Sequence, residues 1–287
     1  MTHRIGVIGG SGLYELPGIE QVQSLAVETP FGAPSDELVR GTLGGTEVFF
    51  VPRHGRGHTL TPSEVPYRAN IHALKQLGVS WVVSVSAVGS LREDIAPGDM
   101  VLVDQYIDRT KGVRASSFFG SGVVGHVPFG EPICETLRQY LMVAAKAEGA
   151  TAHDGGTYVV MEGPAFSTRA ESELYRSWGA SVIGMTNLPE AKLAREAGMS
   201  YATLAMATDY DCWHPDHGDV DVETIIATLL ANVELARRVV ARAIPAIAQH
   251  PGPSPYRDAV RSSVITQPEA MDPATRARLA VILGEDR

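Results

Sequence analysis

Two aspartates, Asp209 and Asp211, stand two positions apart at the end of an apolar run. On extended backbone, side chains at i and i+2 point the same way, so the two carboxylates are expected to share one pocket wall. Like charges held close together raise the proton affinity of one member, giving an acid that can still be protonated near neutral pH. The pair therefore predicts a site that can both accept and donate a hydrogen bond. A loop of two solvated aspartates is the alternative.

Donors suited to an oxyanion follow other predicted strands. Gly9-Gly10-Ser11-Gly12 ends the first strand, where glycines let backbone N–H groups approach an anion and Ser11 adds a hydroxyl. Arg53 and His54 end a second strand, and the arginine offers a fork of donors with His54 donating beside it. These segments predict two walls of a phosphate site, against the alternatives of a tight turn and a solvated basic turn.

Three more strand ends carry small, hydroxyl or aromatic residues. Ser86 and Thr186 can each donate a hydroxyl to the same anion, and Ala87 lets a ligand approach the backbone. Phe166 offers a flat apolar face on which a base can stack. Plain turns and a core phenylalanine are the alternatives for these segments.

Several other chemistries are not favoured by the motifs. The third glycine of the dinucleotide fingerprint is absent, as are a Gly-Lys-Ser/Thr loop and a Gly-x-Ser-x-Gly elbow. Cys212, His214 and His217 lie close together, but Pro215 interrupts the pattern and no fourth ligand is evident. No metal site is expected.

Composition limits the partners of the chain. Its 287 residues carry a formal net charge of −9, which opposes binding to nucleic acid or to an anionic membrane surface. Two cysteines are too few for a disulfide framework. The N-terminus lacks the features of a secretory signal, and no segment reaches the about 18 consecutive apolar residues of a membrane span. A cytoplasmic protein is expected.

The elements that must position these residues alternate between strand and helix patterns. The predicted strands are Arg4–Ile8, Glu47–Val51, Trp81–Ser86, Met100–Val103, Thr157–Met161, Ser181–Gly184 and Tyr201–Ala207. The predicted helices are Tyr67–Leu77, Ile133–Ala147, Arg169–Trp178, Glu190–Ala197 and Val222–Ile247. This order predicts an α/β fold, a single domain with a mixed, mostly parallel central sheet flanked by helices.

The domain is expected to span residues 2–249, followed by a C-terminal tail over 250–287. Three prolines after His250 break the long helix, and Asp272-Pro273 forms the N-cap and first turn of a short helix that ends near Ile282. Such a tail is expected to be mobile or to lie over a neighbour.

Eight motifs in one order carry a resemblance to a known family. They are GGSGL, ETPFG, RHGRGH, SAVGSLRE, DQYIDRT, EGPAFSTRAE, GMTNLPEA and ATDYDCW. The series resembles the trimeric purine nucleoside phosphorylase family, and within it the methylthioadenosine phosphorylases. The resemblance covers nearly the whole domain, and only the tail after about His250 lies outside it. Two departures are Ala165, where an arginine is common, and Ser11, where threonine is usual.

The resemblance implies a nucleoside phosphorylase type of fold, a homotrimer, inorganic phosphate as co-substrate and no cofactor. It implies that phosphate is bound by Ser11, Arg53, His54, Ser86, Ala87 and Thr186. It also implies that Met185 lies against the ribose, that Asp209 and Asp211 bind adenine, and that Phe166 stacks near the base. His126 would reach a neighbouring subunit's 5′ pocket, and Val222 and Ile226 would line the methylthio end.

The implied activity is phosphorolysis of 5′-methylthioadenosine to adenine and 5-methylthioribose 1-phosphate, in purine and methionine salvage. An ionised Asp209 can accept from the 6-amino group of adenine and its protonated form can donate to N7, whereas asparagine would suit a 6-oxopurine. The alternatives are a purine nucleoside or methylthioinosine phosphorylase of the same fold, a nucleosidase that uses water, and a non-catalytic nucleoside-binding protein.

Overall fold

The computed structural model describes residues 3–215 and 222–285, within which eleven strands form one sheet. The strands are β1 (Arg4–Gly9), β2 (Glu20–Leu25), β3 (Leu38–Leu43), β4 (Thr46–Pro52), β5 (Val79–Ser90), β6 (Met100–Leu102), β7 (Gln105–Arg109), β8 (Ala152–Asp154), β9 (Thr157–Met161), β10 (Val182–Gly184) and β11 (Ser200–Asp209). Six of the ten strand pairings in this part of the chain are parallel. The predicted mixed, mostly parallel sheet is therefore confirmed.

Helices flank the sheet. They are α1 (Tyr67–Gln76), α2 (Glu135–Ala147), α3 (Arg169–Ser177), α4 (Asn187–Glu196), α5 (Val222–Ala248) and α6 (Pro273–Leu283). A capping box begins α3, in which the Thr168 hydroxyl accepts from the Glu171 N–H and the Glu171 carboxylate accepts from the Thr168 N–H. Across the described ranges, no helix combines the length and apolar character needed to cross a bilayer.

The long strand β5 is the centre of the sheet. Its first half pairs in parallel with β1, its end pairs antiparallel with β10, and β11 runs parallel along its other edge. Its side chains from Trp81 to Val83 are fully buried. A strand covered on both faces reads as a continuous apolar run rather than an alternation, which explains why the sequence revealed both β5 and β11.

Four strands escaped the sequence prediction, namely β2, β3, β7 and β8. Strand β2 is mostly exposed and polar, and β7 and β8 lie at or near edges of the sheet with partly exposed side chains. Edge strands need little apolar surface, so they leave a weak signal in the pattern.

The segment after α5 packs on the same chain. Leu279 and Ile282 of α6 are buried in the main core, and Asp272 caps this helix by accepting from the Thr275 N–H at 2.9 Å. The hydroxyls of Ser200 and Ser254 meet at 2.9 Å. The prediction of the capped C-terminal helix is confirmed. The segment packs on its own core, which corrects the expectation of a mobile tail, and a contact of this segment with a neighbour stays a prediction.

Candidate active site

The candidate site lies where the neighbours of β5 change. On one edge of β5, the pairing with β1 ends at Ser84 and the pairing with β10 begins at Gly89. Strands β1 and β4, both parallel to β5, end on the same side at Gly9 and Pro52. In α/β sheets, ligands bind in the crevice outside the carboxyl ends of strands at such a switch point.

Arg53 lies at this crevice, and an acidic partner neutralises its charge. Its side chain is 3% exposed, with Nε 2.7 Å from Glu190 Oε2 and Nη2 2.9 Å from Oε1. Further bonds reach Ser84 Oγ at 2.6 Å and the Val85 carbonyl at 3.0 Å, while the backbone N–H donates to the Gly9 carbonyl at 2.9 Å. Burial alone would lower the pKa of Arg53, but Glu190 outweighs it and raises that pKa. The guanidinium is thus largely committed within the protein.

A buried polar network continues from this ion pair to Thr186. The Tyr201 hydroxyl donates to Glu190 Oε1 at 2.8 Å, and the Asn187 amide donates to the hydroxyls of Tyr201 and Thr203, both at 2.7 Å. Thr186, only 5% exposed, immediately precedes Asn187 at the start of α4. Arg53 and the residue that follows Thr186 therefore belong to one buried hydrogen-bond network.

The ring of His54 is not the hydrogen-bond donor toward phosphate that the sequence predicts. Its Nδ1 lies 2.8 Å from the Leu60 carbonyl, which can only accept, so the proton sits on Nδ1. Burial, with Arg53 nearby, lowers the pKa of His54 to about 4. The ring is neutral at pH 7 and its Nε2 accepts. Phosphate binding by His54 stays a prediction, but the ring suits a protonated phosphate oxygen, contrary to the expected side-chain donation.

Ser86 contacts a buried tyrosine at this crevice. Its hydroxyl lies 3.3 Å from the hydroxyl of Tyr158, and a Cβ placed on Gly184 would collide with that same Tyr158 hydroxyl. Burial raises the pKa of Tyr158 to about 12, so the phenol stays protonated. Glycine at 184 thus allows a tyrosine to fix Ser86 beside the end of β10. Ala87 adjoins Ser86 on β5 and pairs with Met206.

Asp209 and Asp211 both lie over Gly89 of β5. A Cβ on Gly89 would stand 3.0 Å from Asp209 Oδ1 and 3.3 Å from the Asp211 Cβ. Asp209 accepts from the Thr208 hydroxyl at 2.7 Å and from the Asp211 N–H at 2.8 Å. Burial raises the pKa of both carboxyls.

The reason for that proximity differs from the one predicted. Strand β11 ends at Asp209, and Asp211 has a left-handed backbone with φ of 51°. The extended-strand argument therefore does not apply to Asp211. A turn closed on the Asp209 side chain brings the two carboxylates together instead.

The loop after β9 contacts both the segment of Met185 and the segment of Asp211. Gly163, with φ of +68°, packs so closely on the Met185 thioether that any Cβ would overlap it. Further along, the Ser167 carbonyl accepts from the Cys212 thiol at 3.3 Å, next to Asp211. Phe166 lies between these contacts and is 43% exposed, which excludes the core alternative for this ring.

Some predicted site residues are not brought into this group. His126 is exposed, and its N–H donates to the Ser263 carbonyl at 2.8 Å. The side chains of Ser11, Val222 and Ile226 and the whole of His217 lie outside the described residues. In the part of the chain that is described, no group of three or more histidine, cysteine or acidic side chains could hold a metal.

Four residues of this region were missed from the sequence. They are Arg114, Tyr158, Asn187 and Glu190. The sequence analysis places Glu190 only at the start of the predicted helix Glu190–Ala197, although a glutamate in an otherwise apolar segment can indicate a buried charge with a partner. The others carry no local pattern, because their partners are distant in sequence.

The chain belongs to the phosphorylase superfamily, whose family profile matches residues 4–245. Within that class it is similar to S-methyl-5′-thioadenosine phosphorylase of Geobacter sulfurreducens, with 56% identity over 284 residues that cover 99% of each chain. Methylthioadenosine phosphorylase from an antarctic soil metagenomic library has 49% identity and a TM-score of 0.94, over 98% of this chain and 99% of that one.

A third relative is methylthioadenosine phosphorylase from Schistosoma mansoni, solved in complex with adenine. It has 37% identity and a TM-score of 0.86, over 91% of this chain and 99% of that one. The expected nucleoside phosphorylase type of fold is confirmed. The family profile ends at residue 245, before the segment after His250, whereas the similarity to the Geobacter relative runs nearly the full length of the chain.

Proposed function

We propose that the protein catalyses the phosphorolysis of 5′-methylthioadenosine, releasing adenine and 5-methylthioribose 1-phosphate in purine and methionine salvage. The observation that carries this is Asp209, a half-buried carboxyl of raised pKa at the end of β11. Arg53 and Thr186 follow the ends of β4 and β10, and Ser86 lies inside β5 where its neighbouring strand changes. The activity also agrees with the names of its relatives.

Asp209 acts on the leaving base. Cleavage of the glycosidic bond moves electrons into the purine, and a proton held by Asp209 can be donated at N7 as that charge develops. Burial favours the protonated form that this step needs. The carboxyl can also accept from the exocyclic 6-amino group, which favours adenine over 6-oxopurines. Asp211 braces it by donating its backbone N–H at 2.8 Å.

Phosphate acts on the sugar. An anion held about 3–3.5 Å from the anomeric carbon stabilises the developing positive charge and then forms the new C–O bond. The proposed phosphate ligands are Ser11, Arg53, His54, Ser86, Ala87 and Thr186. Met185 is assigned to the ribose, Phe166 to the base, and Val222 and Ile226 to an apolar 5′ pocket that takes the methylthio group.

The proposal extends to the assembly and its setting. We assign a homotrimer in which His126 reaches a neighbour's site, and its exposed side chain is available for such a contact. The reaction needs no cofactor, because phosphate is the co-substrate and the proton comes from a side chain. The catalytic domain is assigned to residues 2–249, and the protein to the cytoplasm.

The test is adenine release from 5′-methylthioadenosine with and without inorganic phosphate, with inosine in parallel. Release that requires phosphate, with little reaction of inosine, is expected. Release without phosphate identifies a nucleosidase. A preference for inosine refutes the role of Asp209 in choosing the base, and binding without turnover refutes catalysis altogether.

A further inference from the structure

Arg114 lies on the loop after β7 and bonds to both loops that carry the candidate substrate contacts. Its Nη1 donates to the Met185 carbonyl at 2.5 Å and to the Leu188 carbonyl at 3.0 Å. Its Nη2 donates to the Glu162 carbonyl at 2.5 Å, and its Nε lies 3.2 Å from Glu162 Oε1. One guanidinium thus connects the segment of Met185 to the loop that begins at Glu162.

Burial makes these bonds strong and hard to replace. The Arg114 side chain is 1% exposed and its Glu162 partner is 12% exposed, so water screens the pair poorly. Ser63 Oγ at 3.3 Å and the Tyr67 hydroxyl at 3.5 Å complete the shell. The planar guanidinium of an arginine can donate to several carbonyls at once in a fixed geometry, whereas the ammonium of a lysine is a compact charge on a flexible side chain.

The two segments have different tasks in the proposed reaction. Met185 and Thr186 are assigned to the ribose and phosphate, and the loop from Glu162 to Phe166 is assigned to the base. Gly163 packs directly on the Met185 thioether, so the two segments touch there through an apolar contact and not through a hydrogen bond. Arg114 supplies that link through the main-chain oxygens of both segments.

We propose that Arg114 is a positioning residue that holds the ribose and phosphate segment in register with the base loop. The inference rests on the proposed function for the identity of the substrates. Arg114 acts through the carbonyls that it binds, and it sets the distance between the bound phosphate and the base-binding wall. A misplacement of about 1 Å can cost about 10²-fold in rate.

The test compares Arg114→Lys with Arg138→Lys in steady-state kinetics. Arg138 is a matched control, because its guanidinium is also buried and binds Glu135, Asp154 and the Leu102 carbonyl, away from the site. Arg114→Lys is expected to raise KM for both phosphate and 5′-methylthioadenosine and to lower kcat/KM about 10²-fold. Arg138→Lys is expected to leave both KM values unchanged.

A second variant, Arg114→Ala, is assayed with and without millimolar guanidinium chloride. Added guanidinium is expected to restore turnover to this variant and to leave the turnover of Arg138→Ala unchanged. A purely structural loss would lower the folded fraction and hence kcat, with both KM values unchanged. The proposal is overturned if Arg114→Lys keeps wild-type KM values for both substrates. Absence of phosphate-dependent adenine release by the wild-type protein would instead refute the proposed function.

Discussion

Arg53 Nε donates to Glu190 Oε2 at 2.7 Å, although the two residues are 137 positions apart in the chain. Their side chains are 3% and 1% exposed. The cation expected to attract phosphate is therefore part of a neutral pair before any ligand arrives. Phosphate binding as proposed for this crevice is therefore expected to depend on directed donors, such as the Ser86 and Thr186 hydroxyls and backbone N–H groups, more than on net charge.

Glu190→Ala is expected to lower the free energy of unfolding by about 3–5 kcal/mol, because it leaves the Arg53 charge buried without its partner. Urea denaturation measures the loss. Glu47→Ala is the control, since Glu47 pairs with Arg4 at 2.7 Å with both side chains partly exposed, and it should cost no more than about 1 kcal/mol. Equal losses in the two variants would contradict the structural weight given to the Arg53–Glu190 pair.

Asp209→Asn is expected to reduce kcat/KM for 5′-methylthioadenosine by about 10²- to 10⁴-fold, because the amide cannot transfer a proton to N7. Since an amide can donate to a 6-oxygen, relative activity on inosine should rise. Product analysis with both nucleosides checks both effects. Asp94→Asn, at an exposed pair with Arg92, serves as the control. An unchanged ratio of the two activities would remove Asp209 from base selection.

His54 should make stability fall on acidification. An unfolded histidine takes up a proton below about 6.5, but the folded pKa is about 4, so the unfolded chain binds more protons in between. The contribution is complete above the unfolded pKa and is lost as pH falls through the folded pKa. It amounts to about 3 kcal/mol.

His54→Asn keeps a donor for the Leu60 carbonyl and should show a shallower decline in unfolding free energy between pH 7 and 4. Urea titrations at successive pH values give the two slopes. His58→Asn, at the exposed ring stacked on His54 at 4.3 Å, controls for loss of the ring contact. Parallel slopes for wild type and His54→Asn would show that His54 is not held neutral.

Leu279→Ala in α6 is expected to lower the unfolding free energy by about 2–5 kcal/mol, because the Leu279 side chain is fully buried in the main core. Leu230→Ala in α5 makes the same change in a helix at a side chain that is 68% exposed, and should stay within about 0.5 kcal/mol of wild type. If Leu279→Ala were equally silent, the C-terminal helix would not belong to the folded core.

The sequence predicted best those features that depend on a short, local pattern of residues. Apolar runs predicted β5 and β11, and the helical spacing of apolar residues predicted α3, since both signals are local. Strand ends rich in donors predicted Ser86 and Thr186, which the sheet does place near one crevice. Their roles toward phosphate remain predictions.

Relations between distant residues were not predictable in the same way. Nothing near Arg53 indicates that Glu190 neutralises it, and nothing near His54 indicates that the Leu60 carbonyl fixes its tautomer. The turn at Asp211 was also not predicted, because a left-handed backbone at an aspartate has no fixed sequence pattern. These features arise from tertiary packing, which short-range patterns do not encode.

The buried pair of Arg53 and Glu190 has a consequence for how this chain can change over generations. Replacing either residue first leaves a lone charge inside the protein, and an uncompensated buried charge costs about 3–5 kcal/mol, a large share of the stability of a typical domain. Any lineage that abandons the pair must pass through that weakened intermediate or change both codons together. Arg53 and Glu190 are therefore expected to be kept together or replaced together.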